Sequence, residues 1–196
     1  MRGKIRERIL RVLLNNPSGN VSRYWIAKQA SCTYPWVREF LLKLDDMELV
    51  EGTRVIDYHG LLRYWKSVSL KAKHRDYMIK RPLKVLKDAS LPYALTTYQA
   101  ETLFQNYLFP SRIDIYVKDG DWKKWHKLLS KKGLVGGGNM RLLLSDDHVF
   151  YKSFEVKGLR IVSIPQLIVD LLKEGGVCVE AAKLLIKGME KHVRTI

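Results

Sequence analysis

Cysteine is scarce in this sequence: its 196 residues include two, Cys32 and Cys178, which lie far apart in the chain. Two distant cysteines exclude a disulfide framework and a Cys-x-x-Cys metal site, so both are expected to be buried or half-buried thiols. Long apolar runs are also missing, since no stretch approaches the ~18 residues that span a bilayer. The first residues lack the apolar core of a signal peptide. These absences predict a cytoplasmic protein that has no membrane partner.

Acidic residues are few relative to basic ones. The chain has 35 Lys+Arg against 20 Asp+Glu, a formal net charge of +15, and the excess is spread over both halves of the sequence. This charge exceeds what solubility requires, so a polyanion, above all nucleic acid, is the first partner to consider. A lysine-rich surface is also typical of thermophilic proteins, whose charge networks need no ligand, and this alternative stays open.

The first 58 residues have the pattern of a winged helix-turn-helix. Apolar residues recur at helical spacing in 4–15, Ser22 is placed to cap a helix at 23–30, and Thr33 is placed to cap a third helix. Residues 49–56 form two short β-prone runs around a Glu-Gly turn, which is typical of a small hairpin. Helix, helix, helix and hairpin in this order predict a DNA-binding domain at 1–58.

The remainder predicts a linking helix at 59–75 and a second domain at 76–196. Strand-like and helical segments are mixed in this second domain, which makes the fold class α+β. Strands are predicted at 77–79, 93–95, 112–117, 140–144, 149–156 and 159–162, and helices at 82–88, 97–106, after Asp121, at 164–173 and at 178–191.

The third helix of the first domain is the predicted recognition helix. In a helix-turn-helix this element places its first turns in the major groove. The predicted buried stripe is Val37, Phe40, Leu41 and Leu44, and the DNA-binding candidates are Arg23, Tyr24, Tyr34, Trp36, Arg38, Lys43 and Arg54. Arg38 suits bidentate recognition of guanine, whereas Arg23, Tyr24 and Arg54 suit phosphate contacts. Two alternatives stay open: Trp36 packs under the hairpin, or the domain binds protein instead of DNA.

The segments 93–104 and 109–117 have the layout of a nucleotidyltransferase core. In such a core a glycine-containing turn cradles phosphates and two aspartates on a later strand hold Mg²⁺. Here the turn is Thr96-Thr97, and Arg112 occupies the place of the first acid, so only Asp114 remains. A single carboxylate beside an arginine cannot build a paired-metal site. We therefore expect a catalytically silent, degenerate site in which Asp114 pairs with a neighbouring base.

Several loose motifs together resemble one known family. They are Leu49-Val-Glu-Gly-Thr-Arg-Val-Ile-Asp57, Leu61-Leu-Arg-Tyr-Trp65, Tyr93-Ala-Leu-Thr-Thr-Tyr98, Arg112-Ile-Asp-Ile-Tyr-Val117 and Val162-Ser-Ile-Pro-Gln-Leu-Ile-Val-Asp-Leu-Leu172. The chain is similar in these segments to the AbiEi-type antitoxins of type IV toxin-antitoxin systems. The resemblance implies a winged-helix autorepressor with a degenerate nucleotidyltransferase-like second domain, which counteracts a nucleotidyltransferase toxin encoded nearby.

The leading hypothesis is a regulator that binds double-stranded DNA, is not an enzyme and has no cofactor. A homodimer is expected, because a single module of ~65 residues buries too little surface for strong discrimination. The alternative is an RNA-directed nucleotidyltransferase, which needs acids besides Asp114, with Glu101, Glu155 and Asp170 as candidates. A module that binds only proteins is a third hypothesis.

Other motifs are weak. Gly136–Gly138 lacks the Lys-Ser/Thr of a phosphate loop and is expected to be a turn between a helix and a strand. The five histidines (59, 74, 126, 148 and 192) have no metal-binding spacing. The run Trp122–Lys127 is more often an amphipathic helix with tryptophan in the core than a surface for single-stranded nucleic acid.

Overall fold

The computed structural model describes the backbone of residues 2–193 and the side chains of residues 2–189. It is a mixed α+β structure with 53% helix and 18% strand. No helix within these residues is long and apolar enough to cross a membrane.

The elements follow one another in this order along the chain. The helices are α1 (Arg2–Leu14), α2 (Arg23–Gln29), α3 (Tyr34–Asp46), α4 (Tyr58–Val68), α5 (Pro82–Asp88), α6 (Thr97–Phe104), α7 (Trp122–Lys132), α8 (Ile164–Glu174) and α9 (Cys178–Val193). The strands are β1 (Val50–Glu51), β2 (Arg54–Val55), β3 (Lys73–Ile79), β4 (Tyr93–Thr96), β5 (Ile113–Val117), β6 (Gly133–Val135), β7 (Met140–Leu144), β8 (Phe154–Val156) and β9 (Leu159–Ile161). Short 3-10 helices lie at Asp119–Asp121 and Asp147–Phe150.

The chain divides into two compact units. Within the described residues, the first consists of 2–70, Ile164–Lys173 and 182–193, and the second consists of Lys71–Ser163 and Glu174–Ala181. The first unit therefore contains segments from both ends of the sequence.

Two helices of the first unit, α2 and α4, begin directly after a residue whose side chain caps them. The side chain of Ser22 accepts a hydrogen bond from the Trp25 amide at 3.1 Å, and that of Asp57 accepts one from the Gly60 amide at 2.7 Å. Thr33 occupies the N-cap position of α3 but makes no such bond. The stripe of Val37, Phe40, Leu41 and Leu44 is buried, as the helical period predicts.

A polar network lies within the apolar core of the first unit. The guanidinium of Arg11, which is 2% exposed, donates from Nε and Nη2 to Oε1 of Gln166 at 2.9 and 2.7 Å. Gln166 in turn donates to Asp170 at 2.9 Å, and the ring centre of Trp65 lies 5.2 Å from the Arg11 guanidinium carbon. These bonds connect α1 to α8 and satisfy polar groups that would be costly to bury alone.

The network explains why the units differ from the expected domain boundaries. The predicted linking helix at 59–75 is α4, which ends at Val68 and belongs to the first unit. Helix α8, expected within 76–196, also belongs to the first unit, because it is buried from Pro165 to Leu171 and holds the partner of Arg11.

The second unit is built on a seven-stranded mixed sheet in the order β6-β3-β7-β5-β4-β9-β8. Strand β5 runs parallel to β7 and antiparallel to β4, and β4 runs parallel to β9. Trp125 of α7 is fully buried, meets the ring of Tyr93 edge-on at 6.0 Å and donates to the carbonyl of Pro92 at 3.1 Å. The lysines of the Trp122–Lys127 run are exposed, so this run is an amphipathic helix whose Trp125 lies in the core.

Three predicted segments of this unit need correction. The basic stretch from Lys73 to Arg75 is part of β3, because it pairs with β7 instead of extending a helix. The predicted strand at 149–156 is shorter, since a 3-10 helix occupies Asp147–Phe150 and β8 begins at Phe154. The three glycines at 136–138 connect two strands, because the unpredicted β6 follows α7 directly.

Candidate functional site

The exposed surface of α3 consists of a line of residues opposite the buried stripe, here called the outward line, and one flank on each side of that line. Successive residues turn by about 100° around a helix, so Tyr34 and Arg38 lie on one flank and Trp36 and Lys43 on the other. The outward line between the flanks carries exposed Pro35, Glu39, Leu42 and Asp46. The predicted DNA-binding residues of α3 thus do not form one continuous face.

The flank with Trp36 and Lys43 contacts neighbouring helices. The Arg2 guanidinium carbon lies 5.9 Å from the ring centre of Trp36, which is half-buried. The ammonium of Lys43 lies 5.9 Å from the ring centre of Tyr64 on α4. Cation–π contacts of this kind favour the packing of Trp36 against α1 and of Lys43 against α4.

The opposite flank faces the β1–β2 hairpin. Asp45 lies seven residues after Arg38, almost two full turns, so both side chains are on the same flank. The carboxylate of Asp45 accepts a hydrogen bond from the Gly52 amide at 3.3 Å, which fixes the hairpin turn beside this flank.

The hairpin is also attached to the loop that leads into α2. Thr53 Oγ1 donates to the carbonyl of Gly19 at 2.9 Å, and the Val55 amide donates to the carbonyl of Pro17 at 2.9 Å. Gly19 has φ of +74°, and a Cβ there would lie 2.6 Å from the backbone nitrogen and Cα of Arg54. Only glycine permits both this conformation and this close approach.

The hairpin that carries Arg54 is thus bonded both to the flank of α3 on which Arg38 lies and to the loop that leads into α2. Arg38 and Arg54 are exposed, Arg23 is half-exposed, and the ring of Tyr24 is 72% exposed. Among the described side chains, none forms a hydrogen bond or ion pair with the guanidinium groups of Arg23, Arg38 and Arg54. These three cations are thus available to a ligand.

In the second unit, the predicted degenerate site is assembled where β4 ends and α6 begins. The register pairs Thr96 of β4 with Asp114 of β5, and Asp114 with Arg141 of β7. Asp114 is 1% exposed, and the hydroxyl of Thr97 donates to its Oδ2. Thr97 has φ of +50°, so the chain turns sharply into α6 without glycine.

Arg112 donates a hydrogen bond to each oxygen of Asp114. Its Nε donates to Oδ1 at 2.6 Å and its Nη2 to Oδ2 at 2.9 Å, while Nη2 also contacts Glu174 Oε1 at 3.0 Å. The hydrogen bonds to Asp114 are the main reason that the pKa of Arg112 is raised. The guanidinium carbon of Arg112 lies 5.6 Å from the ring centre of Tyr98. Burial raises the pKa of the Tyr98 phenol to about 12.

The three other carboxylates considered for catalysis have separate roles. Glu101 is fully buried and accepts hydrogen bonds from the amides of Tyr107 and Leu108 at 3.2 and 2.7 Å. Glu155 pairs with Arg160 at 3.0 Å on the surface. Asp170 belongs to the first unit and accepts from Gln166.

The donor set around Asp114 is therefore unsuited to a divalent cation, because Arg112 would have to leave and its charge repels a metal ion. No group of three or more His, Cys, Asp or Glu side chains in the described part of the chain could hold a metal. His192 lies outside the described side chains.

Sequence reasoning missed Glu174 and Tyr98 at this site. Glu174 follows Asp114 by 60 residues, at the end of α8, and no local pattern indicates that it returns to Arg112. Tyr98 belongs to the Tyr93–Tyr98 motif, but its contact with Arg112 depends on the turn at Thr97, which no local pattern predicts.

Comparisons with protein-family models, with curated proteins and with solved structures found no match to this chain.

Proposed function

We propose that the protein is a transcriptional regulator that binds double-stranded DNA, and that residues 1–58 are a winged helix-turn-helix. One observation carries the proposal. The unpaired Arg38 lies on the flank of α3 to which the hairpin is bonded, and the same hairpin carries Arg54 and is bonded to the loop before α2. This is the arrangement in which a recognition helix reads bases while the hairpin and the preceding helix contact phosphates.

The charge pattern of α3 defines how the helix meets the duplex. Glu39 and Asp46 on its outward line would repel phosphates, so α3 enters the major groove along the flank of Tyr34 and Arg38. In this orientation the fork of Arg38 can reach the two acceptors of a guanine edge. Lys43 lies on the other flank and against Tyr64, away from the bases.

Replacing Arg38 and Lys43 separately tests this proposal, because both changes remove one positive charge from the same helix. Fluorescence anisotropy would use duplexes selected from a random pool and unselected duplexes. Arg38→Ala should weaken binding to selected duplexes by about 1–3 kcal/mol and binding to unselected ones much less. Lys43→Ala should affect the two kinds of duplex equally. Equal losses on both duplexes for Arg38→Ala, or no duplex binding by the unaltered protein, would overturn the proposal.

Loss of a phosphate contact is expected to change DNA binding differently from loss of a base contact. Arg54→Ala should weaken binding to all duplexes to a similar extent and reduce the slope of log K against log salt by about 1. An unchanged salt slope would exclude Arg54 from the interface.

We further propose that the second unit is not an enzyme. The supporting observation is that Arg112 and Thr97 together occupy both oxygens of Asp114. Incubation with labelled nucleoside triphosphates, Mg²⁺ or Mn²⁺ and total RNA should give no incorporation. Incorporation that Asp114→Asn abolishes would establish the alternative, an RNA-directed nucleotidyltransferase.

The antitoxin role rests on the resemblance of the quoted motifs to AbiEi-type antitoxins. In this proposal the regulator represses its own operon and counteracts a nucleotidyltransferase toxin. If an adjacent reading frame encodes an intact nucleotidyltransferase, its co-expression should arrest growth, and the present chain should restore it. Growth arrest that the chain does not relieve would contradict the antitoxin role and leave the DNA-binding proposal in place.

A further inference from the structure

The outer edge of β6 is an exposed apolar strand. β6 is the terminal strand of the seven-stranded sheet, and in the part of the chain that the structure describes no strand pairs with its outer side. Leu134 is 75% exposed and Val135 52% exposed, and Met78, the partner of Leu134 on β3, is 48% exposed. Proteins usually protect a free edge by keeping the strand short or by placing a charged residue or proline in it; β6 is short, but Gly133, Leu134 and Val135 include no charge and no proline.

The hydrogen-bond pattern shows which backbone groups this edge offers. The Gly136 amide donates to the Asp76 carbonyl at 3.0 Å, and bonded pairs alternate with non-bonded pairs in an antiparallel ladder. Leu134 therefore bonds to Met78, whereas the N–H and C=O of Val135 point away from β3. In agreement, the backbone of Ile79 bonds on its other side to Asn139, at 2.9 and 3.0 Å.

Charged residues cluster at the beginning of this edge. Lys131 and Lys132 directly precede Gly133, and Lys80 and Arg81 directly follow Ile79, the partner of Gly133. All four side chains are exposed, and none has an ion-pair partner among the described residues. Four cations beside a short apolar strand favour an acidic occupant, and they oppose pairing with a second copy, which would bring the same four charges.

We propose that β6 binds an extended, acidic segment of a partner protein as an additional strand of the sheet. The backbone of the segment would bond to the N–H and C=O of Val135, its alternate apolar side chains would cover Leu134 and Met78, and its acidic residues would meet the cations at positions 80, 81, 131 and 132. The site lies in the second unit and is independent of the DNA-binding proposal.

Selection from a random peptide library tests the site without knowledge of the partner. The full-length protein is the target, and the Val135→Pro variant is the counter-target. Proline at 135 removes the Val135 amide, which points away from β3, and leaves the hydrogen bonds between β3 and β6 intact. This variant should therefore fold. The enriched peptides should alternate apolar residues and carry aspartate or glutamate at one end.

The best peptide is then measured by anisotropy and amide exchange. Val135→Pro should weaken binding about tenfold or more, whereas Val135→Thr, which keeps the amide, should change it about twofold or less. The Val135 amide should become protected from exchange when the peptide binds. Equal binding by Val135→Pro, enrichment of basic or unbiased sequences, or no enrichment would overturn the proposal; in the last case the cations merely keep the edge unpaired. Self-association that Val135→Pro abolishes would instead identify a second copy as the occupant.

Discussion

Asp114 is a buried carboxylate, and its negative charge is compensated mainly by Arg112. Two nitrogens of Arg112 and the Thr97 hydroxyl hold its oxygens, and the residue is 1% exposed. A charge buried to this extent destabilises the fold when its partner is removed, although the pair itself adds little.

Arg112→Met should therefore lower the free energy of unfolding by about 3 kcal/mol, measured by urea denaturation. Combining it with Asp114→Asn should recover most of the loss, because no charge then stays buried. Arg160→Met is the matched control: its partner Glu155 is exposed, so the loss should stay within about 1 kcal/mol. Similar losses for both single variants would show that the pair of Arg112 and Asp114 is no more than a surface contact.

Glu7 gives the first unit a pH dependence of a definite sign. Burial is the largest influence and raises the pKa of Glu7 above its ordinary value of 4.5, while the hydrogen bond from the Leu70 amide opposes it. The folded protein thus binds the proton more tightly than the unfolded chain, so stability falls as pH rises from 4.5 through the raised pKa.

The Glu7→Gln variant has no carboxyl group at position 7, so its stability lacks the pH dependence that Glu7 causes. Its free energy of unfolding relative to the unaltered protein should increase as pH rises through that window, and urea denaturation at a series of pH values measures the difference. A difference that does not vary with pH would contradict the raised pKa.

At the level of helices, the N-caps Asp57 and Thr33 of the first unit differ in what they contribute to stability. Asp57 makes its capping hydrogen bond at the start of α4, whereas Thr33 makes none at the start of α3. Asp57→Ala should cost about 1 kcal/mol of stability and Thr33→Ala clearly less, as chemical denaturation would measure. Equal costs would mean that the Asp57 bond does not stabilise α4.

The elements that the sequence predicts well are those with a local signal. The stripe of α3, the cap of α2 and the strand at 140–144 depend on spacing and residue type within a few positions. The same spacing correctly predicted that Tyr34 and Arg38 are exposed, whereas Trp36, also predicted to face outward, is half-buried. It did not predict that Lys43 turns to Tyr64, because that contact is made with another helix.

Elements without a local signal were missed. Strand β6 has three residues, and its close approach to β3 requires glycine at 133, since a Cβ there would collide with the Met78 carbonyl oxygen. The site around Asp114 was predicted in its four central residues, but Glu174 comes from a distant helix end. Contacts between remote segments depend on topology, which periodicity does not encode.

At the level of the whole molecule, the first unit depends on chain segments that are remote in sequence. Helix α8 provides Gln166 to Arg11 and buries most of its own length. A fragment that ends after Leu70 would leave the Arg11 guanidinium in an apolar core without this partner.

Such a fragment should lack the cooperative thermal unfolding of the full chain, as followed by circular dichroism. A fragment that melts as sharply and at the same temperature as the full chain would show that α8 is dispensable.

The position of α8 also has a consequence for synthesis on the ribosome. Chains grow from the amino terminus at about 5–20 residues per second, so α1 to α4 emerge well before Gln166 has been translated. The core of these helices cannot close until α8 has been translated. A product that stops before Gln166 would therefore contain every residue proposed to contact DNA but lack the helix that completes the core beneath them.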